Sequence, residues 1–237
     1  SLKQIKKSIN FLFNNCNYFN SYLDMMRLEK KYKKKPIFFI NPGRVNNNLI
    51  SILLEPTYKS NDHLLINLIK RIKKYKFDIG LHPSYLSWNN SKILFKQKEA
   101  IENEFKIIIS KSRQHWLKFS IFHTWKILSE TGIQTDYTLG FNDRYGFRNG
   151  SSLKIKTWNF FENNSNNIHI IPTIIMDSQL FHYKKLNSDE RKEIIDRLID
   201  EVQNVGGEAS ILWHPHTLSK DYNWSKEFYY IIKKINN

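Results

Sequence analysis

A single cysteine, Cys16, in 237 residues excludes an internal disulfide and a thiolate metal cluster, so any metal must be held by His and carboxylate side chains. Acidic residues are also few. Asp and Glu total 22 against 37 Lys and Arg, a formal net charge of +15. A balance that basic raises nucleic acid, anionic lipid or an acidic polymer as partner. The excess is mostly Lys, in a chain equally heavy in Asn, Ile, Phe and Tyr, the mixture an AT-rich coding sequence gives whatever the function. Its densest run, Lys30-Lys31-Tyr32-Lys33-Lys34-Lys35, falls between a predicted helix and strand, where cations suit the helix macrodipole. No nucleic-acid partner is therefore expected. No apolar stretch approaches the roughly 18–20 residues that cross a bilayer, and no secretory leader is visible, which reads as a cytoplasmic chain without a transmembrane segment. The motifs H-E-x-x-H and G-x-S-x-G and a glycine-rich phosphate loop are absent, which disfavours the chemistries they carry.

What is present suits one large α/β domain spanning 1–237: 41% hydrophobic residues, 14% of all residues aromatic, and 25% charged. Apolar runs alternate with amphipathic stretches from end to end. Helical spacing runs from Ile5 to Met26, with Ile5, Ile9, Leu12 and Phe13 on one face, and leads into the strand Pro36 to Ile40, closed by Asn41-Pro42-Gly43. A helix from Asp62 to Tyr75, capped by Asn61 or Asp62, feeds the strand Phe77 to His82. Ser91 caps a helix from Lys92 to Phe105. An extended segment over Ser112 to His115 and a helix from Phe122 to Glu130, stopped by Gly132, come next. Turn-rich sequence from Asp136 to Ser152 precedes the apolar run Ile168 to Met176. A helix from Asp189 to Val205 stops at Gly206-Gly207, and the strand Ala209 to His214 and a helix from Trp224 to Ile232 end the chain. Strand and helix alternating in this way read as βα units around a mainly parallel sheet or barrel. The circuit opens on a helix and lacks the strand that should precede it.

Three strand ends are unusually polar: His82-Pro83-Ser84-Tyr85, Arg113-Gln114-His115-Trp116 and Trp213-His214-Pro215-His216. In α/β barrels the working groups occupy such ends. Alternation gives each a direction. Phe77, Ile79 and Leu81 point toward outer helices, and Asp78, Gly80 and His82 the other way. Ser210, Leu212 and His214 share a face opposite Ala209, Ile211 and Trp213, and Arg113 shares a face with His115. A lone His at a strand end is usually a hydrogen-bonded structural residue, but three such groups on separate strands converge on one rim. His63, His123, His169 and His182 lack that placement and read as surface or core residues.

These segments resemble, in order, the polysaccharide deacetylases of the NodB-homology type, carbohydrate esterase family 4, in a divergent branch associated with bacterial surface polysaccharides. The resemblance is carried by Phe77 to Tyr85, Ser112 to Leu117, Asp136 to Phe141 with Gly146 to Gly150, Ile175-Met176-Asp177, and Leu212 to Pro215. It implies a distorted (β/α) barrel that removes acetyl groups from N-acetylated sugars with one divalent metal, usually zinc, and a polysaccharide or oligosaccharide as substrate. In that family the first strand ends in an Asp-rich motif. No counterpart precedes Lys35, so the sequence is expected to be a fragment lacking the first strand.

The family's metal-binding pair is spaced H-x-x-x-H. His82 matches its first position and Leu86 stands at the second, so the resemblance assigns His82 to the metal, with His115 as the candidate for the other imidazole. Two imidazoles and one carboxylate leave zinc an open position for water. By the same resemblance Arg113 orients the catalytic base and His214 protonates the leaving amine, with His216 a lesser candidate. Asp177 and Asp136 are candidates to support these groups from neighbouring strands, with a capping or turn role as the competing reading for either. Tyr85, Trp88, Trp116 and Trp213 are candidates for a sugar-stacking wall, with core packing as the competing role; Tyr85, Trp116, Trp213 and Asp177 form the expected substrate-binding set. The missing second His leaves room for another reading, a non-catalytic sugar-binding or scaffold barrel.

Overall fold

The computed structural model describes residues 18–43, 49–56, 58, 60–183 and 185–236. Ile5, Ile9, Leu12, Phe13 and Cys16 lie outside them, so the first half of the expected opening helix does too. The described chain begins at Tyr18 and enters α1 (Phe19–Lys31). Then come β1 (Ile37–Ile40), the short α2 (Leu49–Leu54), α3 (His63–Tyr75), β2 (Asp78–Leu81), α4 (Ser91–Phe105), β3 (Lys111–Ser112), α5 (Thr124–Glu130) and β4 (Thr135–Asp136). The second half holds β5 (Ile155–Asn159), β6 (Asn164–Ile170), β7 (Thr173–Met176), α6 (Asp177–Phe181), α7 (Ser188–Asn204), β8 (Ser210–Leu212) and α8 (Ser225–Lys234).

The helices start where their capping residues are. Asp62 accepts the Leu64 N–H at 2.8 Å, and Asn187 accepts from Asp189 and Glu190 while Glu190 reaches back to the Asn187 N–H, a reciprocal capping box. Asn90, rather than the expected Ser91, caps α4 by accepting from Ile93. Each long helix buries a stripe: Leu65, Leu68, Ile69 and Ile72 in α3, and Ile194, Ile195, Leu198 and Ile199 in α7. The stripes, at i, i+3, i+4 and i+7 in α3 and at i, i+1, i+4 and i+5 in α7, belong to the hydrophobic core, and such packing is where helix stability in proteins mainly arises.

The fold is mixed α/β with mainly parallel strands. One sheet has the order β1-β2-β3-β4-β6-β5, parallel throughout except for the antiparallel β5–β6 pair. A second sheet pairs β7 with β8 in parallel. Among the described residues β1 pairs only with β2. Two features depart from the sequence reading. The run Ile168 to Met176 is two strands in two sheets, because Pro172 has no N–H to give to a ladder; its carbonyl instead accepts from Ser210 at 2.8 Å. The β5–β6 hairpin falls in Asn-rich sequence with weak strand propensity, and its burial alternates along β6, with Asn166, Ile168 and Ile170 inward.

Gly80 is a glycine for want of space. A Cβ there would lie 2.6 Å from two ring carbons of Phe39 and 3.2 Å from the Lys111 carbonyl. The Phe39 ring therefore lies over β2, 5.4 Å from the Tyr137 ring, and forms part of the floor beneath the candidate site.

Candidate active site

Parallel hydrogen bonding continues one residue past each strand of the first sheet. The His82 N–H donates to Ile40 C=O at 2.8 Å, the Arg113 N–H to Leu81 C=O at 2.9 Å, and the Tyr137 N–H to Ser112 C=O at 2.8 Å. The residues that follow β2, β3 and β4 thus stand side by side at the carboxyl ends of their strands, where α/β proteins place their ligands.

His82 and His115 meet there, with ring centres 5.0 Å apart and planes at 64°. His82 Nδ1 lies 2.6 Å from the Arg113 carbonyl oxygen. A carbonyl can only accept, so Nδ1 carries the proton and Nε2 keeps its lone pair. Burial, with the neighbouring His115, pushes the His82 pKa down to about 3, which holds the ring neutral. His115 Nδ1 faces both oxygens of Glu55, at 3.4 and 3.5 Å.

Glu55 follows α2 and its side chain is 1% exposed. It accepts the Tyr85 N–H at 2.6 Å and the Asn41 side-chain amide at 3.1 Å. Burial works against its charge, but the bonds from His115, Tyr85 and Asn41 outweigh it and hold the carboxyl below its ordinary range. One carboxylate thus ties together the loops that follow β1, β2 and β3. It was not among the residues singled out from sequence, where its one signal is an acid between the apolar Leu49–Leu54 stretch and Pro56.

Arg113 is buried. Its guanidinium lies over the Phe39 ring, 4.5 Å from the centroid. It donates to the Tyr137 carbonyl at 3.3 Å, to Thr173 Oγ1 at 3.4 Å and to Ser210 Oγ. Burial lowers its pKa to about 10, so it stays charged at neutral pH. Among the described residues no carboxylate forms an ion pair with it. Asp136 is fully buried and already accepts from Ser112, Thr138 and Trp125, which fits a structural tie between β3, β4 and α5.

His214 follows β8 and pairs with Asp177, the first residue after β7. Its Nδ1 lies 2.8 Å from Asp177 Oδ1, and its backbone N–H donates to Oδ2 at 2.9 Å. Thr217 Oγ1 and the Ser178 N–H also donate to the fully buried Asp177. Burial opposes both charges; the mutual attraction prevails, lowering the pKa of Asp177 and raising that of His214. The His214 side chain is 46% exposed, so the face away from Asp177 is open to solvent. His216 packs its ring 5.6 Å from that of His214.

The residues read as a substrate wall divide in two. Trp116 is 56% exposed beside His115, in a left-handed conformation at φ 59°, followed by Leu117 at φ 48°. Tyr85 is half-buried, and Lys118 Nζ lies 3.9 Å from its ring centroid and 5.0 Å from that of Trp88. Trp213 packs in the core against Phe181 and Phe228, since the alternation that turns His214 to the rim turns Trp213 to the helices. Asp177 lies behind His214 rather than on open surface.

The chain matches over 91% of its length the structure of the "putative polysaccharide deacetylase" from Mycobacterium smegmatis, covering 70% of that chain with a TM-score of 0.61 at 16% identity. The fold is that of a polysaccharide deacetylase. At 16% identity the likeness is one of fold, which says how the deacetylase-fold chain arranges its strand ends and leaves their chemistry to the side chains. A weaker resemblance, TM-score 0.45 at 8% identity over 97% of this chain and 56% of the other, is to a GH57 branching enzyme from Thermococcus kodakaraensis. No protein-family model and no curated protein matches the sequence. No helix among the described residues is long and apolar enough to cross a membrane.

The sequence resemblance to the deacetylases carries the expectation of a metal, against which the donors present can be set. Two imidazoles bound to one tetrahedral zinc, with Zn–N about 2.0–2.1 Å, set their ring centres about 5 Å apart. His82 and His115 have that separation, and each has an acceptor at Nδ1, the outer-shell arrangement that metal-ligating histidines show. They offer two donors, one fewer than the three protein ligands of a catalytic zinc site. Among the described residues no group of three His, Cys, Asp or Glu side chains could hold a metal ion. Leu86, four residues after His82, supplies no donor.

Proposed function

We propose that the protein is a divalent-metal-dependent hydrolase that removes acetyl groups from N-acetylated sugars of a polysaccharide, and that its two sheets belong to one distorted (β/α) barrel. The observation that carries the reading is the meeting of His82 and His115 at the strand ends, each with its Nδ1 engaged. The barrel is supported by Arg113, which reaches from the loop after β3 to Thr173 in β7 and Ser210 in β8, and by the Thr173 N–H, which donates to Leu139 at 2.8 Å.

A divalent cation of zinc type, when bound, supplies Lewis acidity toward the acetyl carbonyl and makes water more acidic. His82 and His115 offer Nε2 lone pairs as two of its ligands. Arg113, a buried cation supported by Phe39 and hydrogen-bonded to neutral groups, is suited to hold a carboxylate base ionised and fixed. His214 acts as general acid. Asp177 takes the Nδ1 proton as a hydrogen bond and favours the imidazolium, so the solvent-facing Nε2–H can pass its proton to the departing sugar amine. Trp116 and Tyr85 offer faces for a sugar ring, and Asp177 positions rather than touches substrate.

The test is acetate release from N-acetylhexosamine oligomers. Release is expected, lost on chelation and restored by Zn²⁺, and His214→Ala should cost on the order of 10²–10⁴-fold in rate. Release that chelation leaves untouched overturns the metal scheme. Oligomer binding without any release favours the second reading, a non-catalytic carbohydrate-binding barrel, to which Leu86 and the two-donor count lend support.

A further inference from the structure

The geometry points to Lys118 and Arg148 as a pair of uncompensated cations beside the candidate site that select a sugar bearing a carboxylate, so that the polymer the protein takes is acidic. The inference rests on the carbohydrate reading above and names the class of sugar; it requires neither a metal nor hydrolysis.

The two cations are seated on aromatic rings. Lys118 follows β3 by way of the turn His115–Leu117, and its N–H donates to the His115 carbonyl at 3.3 Å. Its Nζ lies 3.9 Å from the ring centroid of Tyr85, so the ammonium covers one face of that ring, and 5.0 Å from the centroid of Trp88. Arg148, in the loop after β4, donates to the Gly140 carbonyl at 2.9 Å. Its guanidinium lies 4.7 Å from the ring centroid of Phe119, the residue next to Lys118. The Asn142 side-chain amide donates to the Trp116 carbonyl at 3.0 Å, which ties the loops after β3 and β4 together beside His115.

Among the described residues no carboxylate forms an ion pair with Lys118 or Arg148. The stretch Arg113 to His123 contains no acid, and Tyr137 to Lys154 contains only Asp143. Asp143 is held by Arg144 at 3.1 and 3.2 Å. Glu55, which faces His115 from the loop after β1, is buried and accepts from Tyr85 and Asn41. An aromatic face holds a cation without cancelling its charge, whereas a carboxylate cancels it. Lys118 and Arg148 are therefore held in place with their field intact, directed at whatever lies across the loops after β3 and β4. Hydroxyls and acetamido groups gain little from that field. A carboxylate on the sugar gains from both cations.

A lysine in a chain with 37 Lys and Arg against 22 acids is more often a solvated charge than a contact. Lys70 and Lys74, exposed on α3, serve as the comparison for that ordinary role.

Calorimetric titration of the full chain tests the inference, with a hexasaccharide of alternating glucuronate and N-acetylglucosamine set against the same oligomer as its carboxyl methyl ester. At low ionic strength the parent is expected to favour the acid over the ester by about 2- to 25-fold, the range for two exposed ion pairs, and the preference should narrow as salt is added. Lys118→Gln and Arg148→Gln should each reduce the preference by about 1.5- to 5-fold without changing affinity for the ester, and Lys118→Arg should retain it. Lys70→Gln combined with Lys74→Gln should leave it unchanged. Equal affinity of the parent for acid and ester overturns the acidic class, needs no variant to fold, and leaves the carbohydrate reading standing. A preference that survives both substitutions, or that falls as far in the α3 control, overturns the assignment to Lys118 and Arg148. Binding of neither oligomer withdraws the carbohydrate reading and this inference with it. An oligothymidylate that binds more tightly than the acidic sugar, and loses affinity in the same two variants, overturns the sugar in favour of a nucleic-acid partner.

Discussion

Removal of the Asp177 carboxylate is the most informative single perturbation, because one fully buried group receives four hydrogen bonds. The donors are the His214 ring at 2.8 Å, the His214 N–H at 2.9 Å, Thr217 Oγ1 at 3.1 Å and the Ser178 N–H at 2.7 Å. In Asp177→Ala they do not suffer equally. Thr217 retains the His214 carbonyl as acceptor at 2.7 Å, so it is not orphaned. The His214 ring is 46% exposed, and water replaces much of what it loses, which limits its share to about 0–1 kcal/mol. The His214 backbone N–H loses its acceptor beside a buried residue, at about 1–3 kcal/mol. For the two His214 groups together the expected loss is about 1–4 kcal/mol, or about 2–16 °C in Tm for a domain of this size.

Asp177→Asn separates charge from shape. Its carbonyl still accepts the His214 N–H, while its amide faces Nδ1 and drives the ring to the other tautomer. The sign of the pH effect follows from two opposite shifts. His214 is raised above 6.5, so its contribution is complete below pH 6.5 and is lost as pH rises through the raised value. Asp177 is lowered below 3.8, so its contribution is complete above pH 3.8 and is lost as pH falls through the lowered value. The stability gap between parent and Asp177→Asn should therefore be widest between pH 3.8 and 6.5 and narrow in alkaline solution. Urea unfolding at pH 5.5 and 8.5, with the His214 ring followed by NMR, measures both quantities. Equal gaps at the two pH values, or a His214 that titrates no higher than 6.5 in the parent, would refute the reasoning. Where acetate release is measurable, Asp177→Asn should reduce kcat by on the order of 10³–10⁴-fold, as a wrongly set tautomer does in other Asp–His pairs.

Gly80→Ala places a methyl 2.6 Å from the Phe39 ring and must move it from beneath Arg113, so urea unfolding should show a loss of about 1–3 kcal/mol together with weakened catalysis; an unchanged midpoint would mean that the floor yields freely. Leu94→Ala, at a fully buried position of α4, should cost about 2–5 kcal/mol in the same assay and leave ligand binding unaltered. Asn187→Ala removes the acceptor for two N–H groups at the start of α7 and should cost about 0.5–2 kcal/mol, read as a lower thermal midpoint. Trp116→Gly relieves a left-handed tryptophan, so stability should change by less than about 1 kcal/mol, while affinity for N-acetylated oligosaccharides should fall roughly 2- to 10-fold by titration; undiminished affinity removes Trp116 from the sugar site.

The local code of the chain determined most elements and the direction of the key side chains. Period-3.6 stripes located α3 and α7 and Asp62 marked the start of α3, because capping and amphipathicity act within a few residues; the Asn187 cap of α7 is read only from the structure. Period-2 alternation turned His214 to the rim and Trp213 to the helices, because successive residues of a strand point to opposite faces. Other features rest on partners far apart in sequence. The division of Ile168 to Met176 between two sheets, the β5–β6 hairpin, and the reach of Arg113 to Ser210 belong to this class. So does Glu55, which binds Asn41, Tyr85 and His115 across three loops. No periodicity records such a contact, since it arises only when packing of the helices against the sheet brings the loops within hydrogen-bonding distance. The sequence by itself settled which residues could face a common rim, and the tertiary structure alone decided which of them touch, because burial direction is written locally and proximity is not.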